Sequence, residues 1–218
     1  MLKTCLERYR RRRFGWLYFS LLLTLGAHPA LEALAPGFSP LELLLAVNLV
    51  AAIASVAHER WIRILLALGI AFGALRGIQA ALGVTSMLAV SEVLWVVACL
   101  LATAATARHA LRPGAVDAER IFAALDAYLL AGLVFGVCYW VLEQTWRGSF
   151  GVASGHDLDL GRAVYLSFVT IATLGYGDIV PASNSARGLT ILEAVGGQMY
   201  LAVLVARLVS LYSRQVDR

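Results

Sequence analysis

The run Thr170-Ile171-Ala172-Thr173-Leu174-Gly175-Tyr176-Gly177-Asp178 is the part of this chain whose residue types and spacing could act directly on an ion. Glycines at 175 and 177 can take left-handed backbone angles that other residues avoid, so successive carbonyls can all face one axis. The carbonyls of Thr173, Leu174, Gly175 and Tyr176, with the Thr173 hydroxyl below them and Gly177 above, would then replace the hydration oxygens of a cation if several copies faced one another. Asp178 adds a carboxylate at the outer mouth, where it can hydrogen-bond behind the ladder and raise the local cation concentration. Tyr176 is expected to turn its ring away from the ion and pack on the preceding helix as scaffolding. Enzymatic chemistry lacks support, because His28, His58, His109 and His156 are dispersed without nucleophile–base or metal-ligand spacing. No cofactor is expected. Cys5, Cys99 and Cys138 are scattered, two of them in apolar runs, so no disulfide or metal framework is implied.

The elements that position this ladder follow from composition. Of 218 residues, 60% are hydrophobic and 15% charged, and the mean hydropathy is +0.76. Several apolar runs approach the ~20 residues an α-helix needs to cross the hydrocarbon of a bilayer. The expected fold is an all-α membrane protein with six transmembrane helices, over residues 14–35, 41–57, 61–82, 87–107, 121–142 and 186–211. Pro29 is read as a kink within an uncleaved first span, although the basic start followed by an apolar run superficially looks like a signal peptide. Between the fifth and sixth spans, residues 163–173 have the length of a short re-entrant pore helix. Gly148, Gly151, Gly155 and Gly161 are expected to make the segment before it flexible, with Asp157 and Asp159 capping it. The resulting domains are a basic cytoplasmic amino terminus (1–13), a four-helix membrane domain (14–112), a cytoplasmic linker (113–120), a pore domain (121–211) and a short cytoplasmic tail (212–218). With a tail of that length, no cytosolic nucleotide- or calcium-sensing domain is expected after the sixth span.

Net charge of +4 does not point to nucleic acid, because the basic residues cluster at the ends of apolar runs. Lys3, the arginines at 8 and 10–13, Arg60, Arg63, Arg108, Arg112, Arg120, Arg214 and Arg218 fall on one side of a six-span arrangement. Only Arg147, Arg162 and Arg187 fall on the other. The rich side is expected to be cytoplasmic, with both termini inside a plasma membrane and the re-entrant loop facing out. The arginines at 10–13 also suit anionic lipid.

The run Thr170 to Asp178 resembles the selectivity filter of the potassium channel family, with Leu174 where valine is more usual and Ala172 in place of the first threonine of the frequent TTVGYG form. The likeness covers residues 121–211 and is most specific at the filter; over the first four spans it rests on topology alone. It implies potassium as permeant ligand and a tetrameric pore, a homotetramer because the chain holds a single filter. Thr170 and Glu193 are expected to support the pore helix, Glu193 lying too deep for a casual surface charge. In the sixth span, Gly197 resembles the inner-helix bend of the family, with close helix packing as the alternative. Helical spacing from it turns Gln198, Leu201 and Val205 toward the cavity. The family's acid two residues before the alanine-threonine pair and its pore-helix tryptophans are absent, with Tyr165, Leu166 and Val169 in those places. A weakly selective cation channel, a potassium transporter and a non-conducting membrane sensor are the rival readings.

Six spans with the pore last also resemble voltage-gated channels, yet the fourth span has no arginine between Met87 and Ala107. Moving one charge across the field yields only ~2.3 kcal/mol per 100 mV, so steep voltage dependence is not expected. Arg76 and Glu92 lie at one depth, roughly 10–12 Å below the outer ends of the third and fourth spans at ~1.5 Å per residue, and are a candidate buried ion pair. Asp126 and Arg207, near the cytoplasmic ends of the fifth and sixth, are a second. Gly69, Gly73 and Gly77 recur every four residues and permit close helix contact.

Overall fold

A computed structural model of the chain describes residues 12–34, 40–56, 88–112, 117–153 and 155–216. Its helices are α1 (Arg13–Leu34), α2 (Pro40–Val56), α3 (Leu88–Ala110), α4 (Ala118–Thr145), α5 (Leu160–Ile171) and α6 (Asn184–Val216), joined by strands β1 (Phe150–Val152) and β2 (Ile179–Pro181). The first, second, fourth, fifth and sixth expected spans, and the pore helix, correspond to these six helices within a few residues. The expected third span, with Arg76, Gly69, Gly73 and Gly77, lies outside the described residues. Among the described residues, Ala118–Thr145 and Asn184–Ser210 are long and apolar enough to cross a membrane.

The chain divides into two compact units, one running through Ala127 and the other from Tyr128 onward. In the first, α1 packs on α2 and α2 on α3. Phe14, Leu17 and Leu21 supply the buried face of α1. A polar seam runs through this apolar contact. Ser20 donates to Asn48 Oδ1 at 2.7 Å, and Asn48 Nδ2 donates to Thr24 Oγ1 at 2.5 Å. With Thr24 and Asn48 buried, the seam is stabilising because its polar groups find partners inside the helix pair. At the start of α1, the Phe14 N–H, one of the donors a helix leaves unsatisfied at its first turn, is taken by Glu119 Oε2 at 3.1 Å. The end of the expected linker is helical, and Asp117 Oδ1 accepts from Arg120 N at 3.0 Å and so caps α4.

In the second unit, Tyr139, Phe150, Leu158, Ala163, Leu166, Ile179 and Ala186 form one core. The structure is mostly helical, as expected, with one short ribbon added. β1 and β2 pair antiparallel, with Phe150 opposite Pro181, Gly151 opposite Val180 and Val152 opposite Ile179. The glycines of the segment expected to be flexible each have a place in this local structure. Gly151 sits in the ribbon, Gly161 in the first turn of α5, and Gly148 and Gly155 serve tight turns at φ +82° and +72°. Glu143, at the end of α4, pins the first of these turns by accepting from Gly148 N at 2.7 Å and Phe150 N at 3.0 Å.

Candidate ion-conduction site

The site is built on α5. Its amino end is capped by Asp159, whose side chain accepts from Arg162 N at 2.8 Å, while Asp157 contributes only its carbonyl, to the Arg162 guanidinium. Asp159 is thus a cap and Asp157 is not. At its carboxyl end the helix closes with two paired bonds: Leu174 N donates to Val169 O at 2.8 Å, and Thr173 N donates to Thr170 O at 2.9 Å. This is the Schellman pattern, in which the residue after the cap takes left-handed angles and is usually glycine. Here that residue is Thr173, at φ +57°. A β-branched residue at positive φ is a genuine outlier, of the kind that surrounding structure must hold in place.

Gly175 and Gly177 follow at φ +60° and +78°, and no other described non-glycine residue shares Thr173's sign. Left-handed residues therefore alternate along 173–177. Such alternation gathers N–H groups on one side of a chain, and it turns the carbonyls to the other. The residue types alone assign the left-handed angles to the glycines; the spacing of two that joins Thr173 to them is the signal that extends the pattern. The far end of the segment is tied to the ribbon, because Ala153 N donates to the Asp178 carbonyl at 2.8 Å.

Residues 172–178 are all exposed in the single chain. Tyr176 is 67% exposed, so the packing expected for its ring is not made within its own chain. Leu174 is likewise exposed. Along α6, Gln198 and Val205 are exposed and Leu201 half-buried, beside exposed Ile191, Leu192, Val195 and Met199. The deep face of α6 carries Glu193, fully buried, between Tyr139 of α4 and Ser167 of α5, each of which is hydrogen-bonded to its carboxyl group. Ser167 also lies 2.6 Å from the Gly132 carbonyl. Tyr128 adds a further support that sequence reasoning missed, its hydroxyl donating to the last helical carbonyl of α5, at Ile171, over 3.1 Å.

Gly197 is buried inside a continuous helix, and a Cβ there would lie 2.5 Å from Ile171 Cγ1. The geometry at this position is close helix contact. Its neighbour Gly196 is exposed, with nothing within 4 Å of a Cβ. Gly197→Ala is accordingly expected to lower the thermal stability of the purified protein, at a cost of about 1–3 kcal/mol from overpacking. Gly196→Ala should leave the transition within error of the parent. Equal effects of the two substitutions would contradict this assignment.

The candidate ion pairs fare differently. Arg76 lies outside the described residues, and with it the pairing expected for Glu92 of α3. Asp126 is fully buried, and neither carboxylate oxygen has a hydrogen-bond partner among the described residues. Asp126 sits one turn from the core alanine Ala123 and beside Ala127, whose small side chains supply no donor.

These features converge on a short helix and loop set between two helices long and apolar enough to cross a membrane. Residues 123–214 match a family model described as "Ion channel". A stretch of 83 residues, 38% of this chain, is 41% identical to two-pore potassium channel 4 of Arabidopsis thaliana, covering 27% of that protein. A stretch of the same length is 32% identical to two pore potassium channel c of Oryza sativa subsp. japonica, covering 18% of it. The chain thus spans about a quarter or less of the length of these relatives. No solved structure matches with comparable significance. Residues 123–214 thus carry the pattern of an ion-channel family, and part of the chain is similar to potassium channels.

Proposed function

We propose that this protein conducts potassium passively across the plasma membrane through a homotetrameric pore. The observation that carries the reading is the alternation of left-handed backbone at Thr173, Gly175 and Gly177, within a loop left wholly exposed by its own chain. Non-helical backbone at membrane depth is tolerable only where it lines water or is buried in protein, and an assembly around the loop supplies both conditions. Carbonyls of Thr173, Leu174, Gly175 and Tyr176, with the Thr173 hydroxyl, take the place of hydration oxygens. In the assembly Tyr176 gains the packing partner its own chain does not offer. Exposed apolar residues of α6 face lipid, a neighbouring subunit or the cavity, to which Gln198, Leu201 and Val205 are assigned. Both termini are cytoplasmic, and the basic amino terminus contacts anionic lipid.

Potassium flux from proteoliposomes, with a Gly175→Asp control, tests this reading. Flux in the parent that is lost in the control supports it, and equal fluxes contradict it. Steep voltage gating is not part of the proposal, since α3 contains no arginine before Arg108. The conductance–voltage relation is therefore expected to correspond to fewer than about two gating charges per channel. A steeper curve would place sensor charge elsewhere in the chain.

A further inference from the structure

The Ser167 hydroxyl has one hydrogen and two acceptors. It lies against the Gly132 carbonyl at 2.6 Å and against Glu193 Oε1, while the Tyr139 hydroxyl occupies Glu193 Oε2. Were Glu193 ionised, these oxygen–oxygen contacts would share only the hydrogens of Ser167 and Tyr139. One close contact would then set lone pair against lone pair. A proton on Glu193 Oε1 gives each contact one hydrogen. Glu193 donates to Ser167, Ser167 donates to the Gly132 carbonyl, and Tyr139 donates to Oε2. Burial points the same way, because Tyr139, Ser167 and Glu193 are all 0% exposed. Both hydrogen-bond partners of the carboxyl are neutral hydroxyls, and an unpaired ionised carboxylate at this depth is costly.

We infer that Glu193 is held as the neutral acid. With Ser167 and Tyr139 it forms a proton-complete relay that fixes α5 against α4 and α6 and thereby positions the filter. Ser167 lies six residues before Thr173, so the relay sets the pitch and depth of the helix whose end presents the first ladder oxygen. Glu193, Ser167 and Tyr139 are positioning residues; none touches the ion. The functional part of this inference rests on the channel reading, whereas the protonation state does not.

Infrared spectroscopy of the purified protein in lipid tests the proton. The parent should show a carboxylic-acid C=O band that disappears in Glu193→Gln. Tyr139→Phe, which removes the donor to Oε2, should move that band to higher frequency, and this second variant serves if the glutamine protein does not fold. A parent-minus-variant spectrum containing only a carboxylate band overturns the inference. Flux selectivity tests the relay. A glutamine amide donates to Ser167 and accepts from Tyr139 as the neutral acid does, so Glu193→Gln should hold the potassium-to-sodium permeability ratio within about twofold of the parent. Glu193→Ala should lower that ratio about tenfold, the expected scale for losing a buried hydrogen-bond partner. If glutamine behaves like alanine, the neutral relay is wrong. If no version conducts potassium while the acid band is present, the channel reading fails and the protonation assignment stands.

Discussion

Replacing Gly175 with alanine is expected to abolish potassium flux while leaving most of each subunit folded. A Cβ at this position meets nothing within 4 Å in its own chain, so the penalty is not a clash inside the subunit. It lies in the backbone, which holds φ at +60°. An L-residue there costs roughly 1–2 kcal/mol, and a symmetric pore incurs that cost in every subunit at once. The local escape is a peptide rotation that returns φ to negative values, and such a rotation swings one carbonyl out of the ladder. The loss should therefore appear as a collapse of flux, by about a hundredfold or more on the scale of several kcal/mol in the whole assembly. Subunit helicity and thermal transition should stay near the parent's. Normal flux from the alanine protein, or unfolding in parallel with the loss, would contradict this account.

Gly136→Ala should act in the opposite manner, destroying the pore unit itself. A Cβ on Gly136 would stand 2.7 Å from Val164 Cα, 2.9 Å from its Cγ2 and 3.1 Å from its backbone N. Contacts with a neighbouring backbone cannot be relieved by a rotamer change, so α5 must move off α4. Overpacking usually costs about 1–3 kcal/mol, and backbone against backbone belongs at the upper end. Gly132→Ala, four residues earlier, meets only the Phe168 ring, at 2.8 Å from Cζ, and the ring can tilt. Gly188 and Gly196 meet nothing. The expected order of destabilisation is thus Gly136, then Gly132, then Gly188 and Gly196 near zero, read from thermal unfolding in detergent. An inversion of the first and last would refute this packing of α5 on α4.

The contrast between these glycines shows how far the sequence could be read. The filter was legible because its chemistry is local: a glycine at alternate positions and a threonine below them determine which backbone angles are available. Helix positions were legible for a similar reason, since apolar length alone sets a membrane span. What holds the filter was harder to see. Gly132 and Gly136 carry the same four-residue spacing as Gly69, Gly73 and Gly77, yet only the latter stand out in the sequence, because spacing gives no partner. The partner of Gly136 is Val164, and nothing in either local sequence pairs them. Tyr128, Tyr139 and Ser167 read as ordinary residues of apolar helices until tertiary packing sets their hydroxyls against Ile171 O, Glu193 and Gly132 O. The β1–β2 ribbon was missed because strands of three residues are too short for a periodic signal. Glu193 is conspicuous by depth, as a polar residue within an apolar span, and that depth is what the structure fills with hydroxyl groups.

Selectivity is the central claim, and the reversal potential of the purified protein in a planar bilayer, with potassium on one side and sodium on the other, tests it most directly. The account predicts a current that reverses far toward the potassium equilibrium potential and that vanishes with Gly175→Asp. A reversal near zero under the same gradients, with current retained, would show a pore that does not distinguish the two ions and would contradict the account.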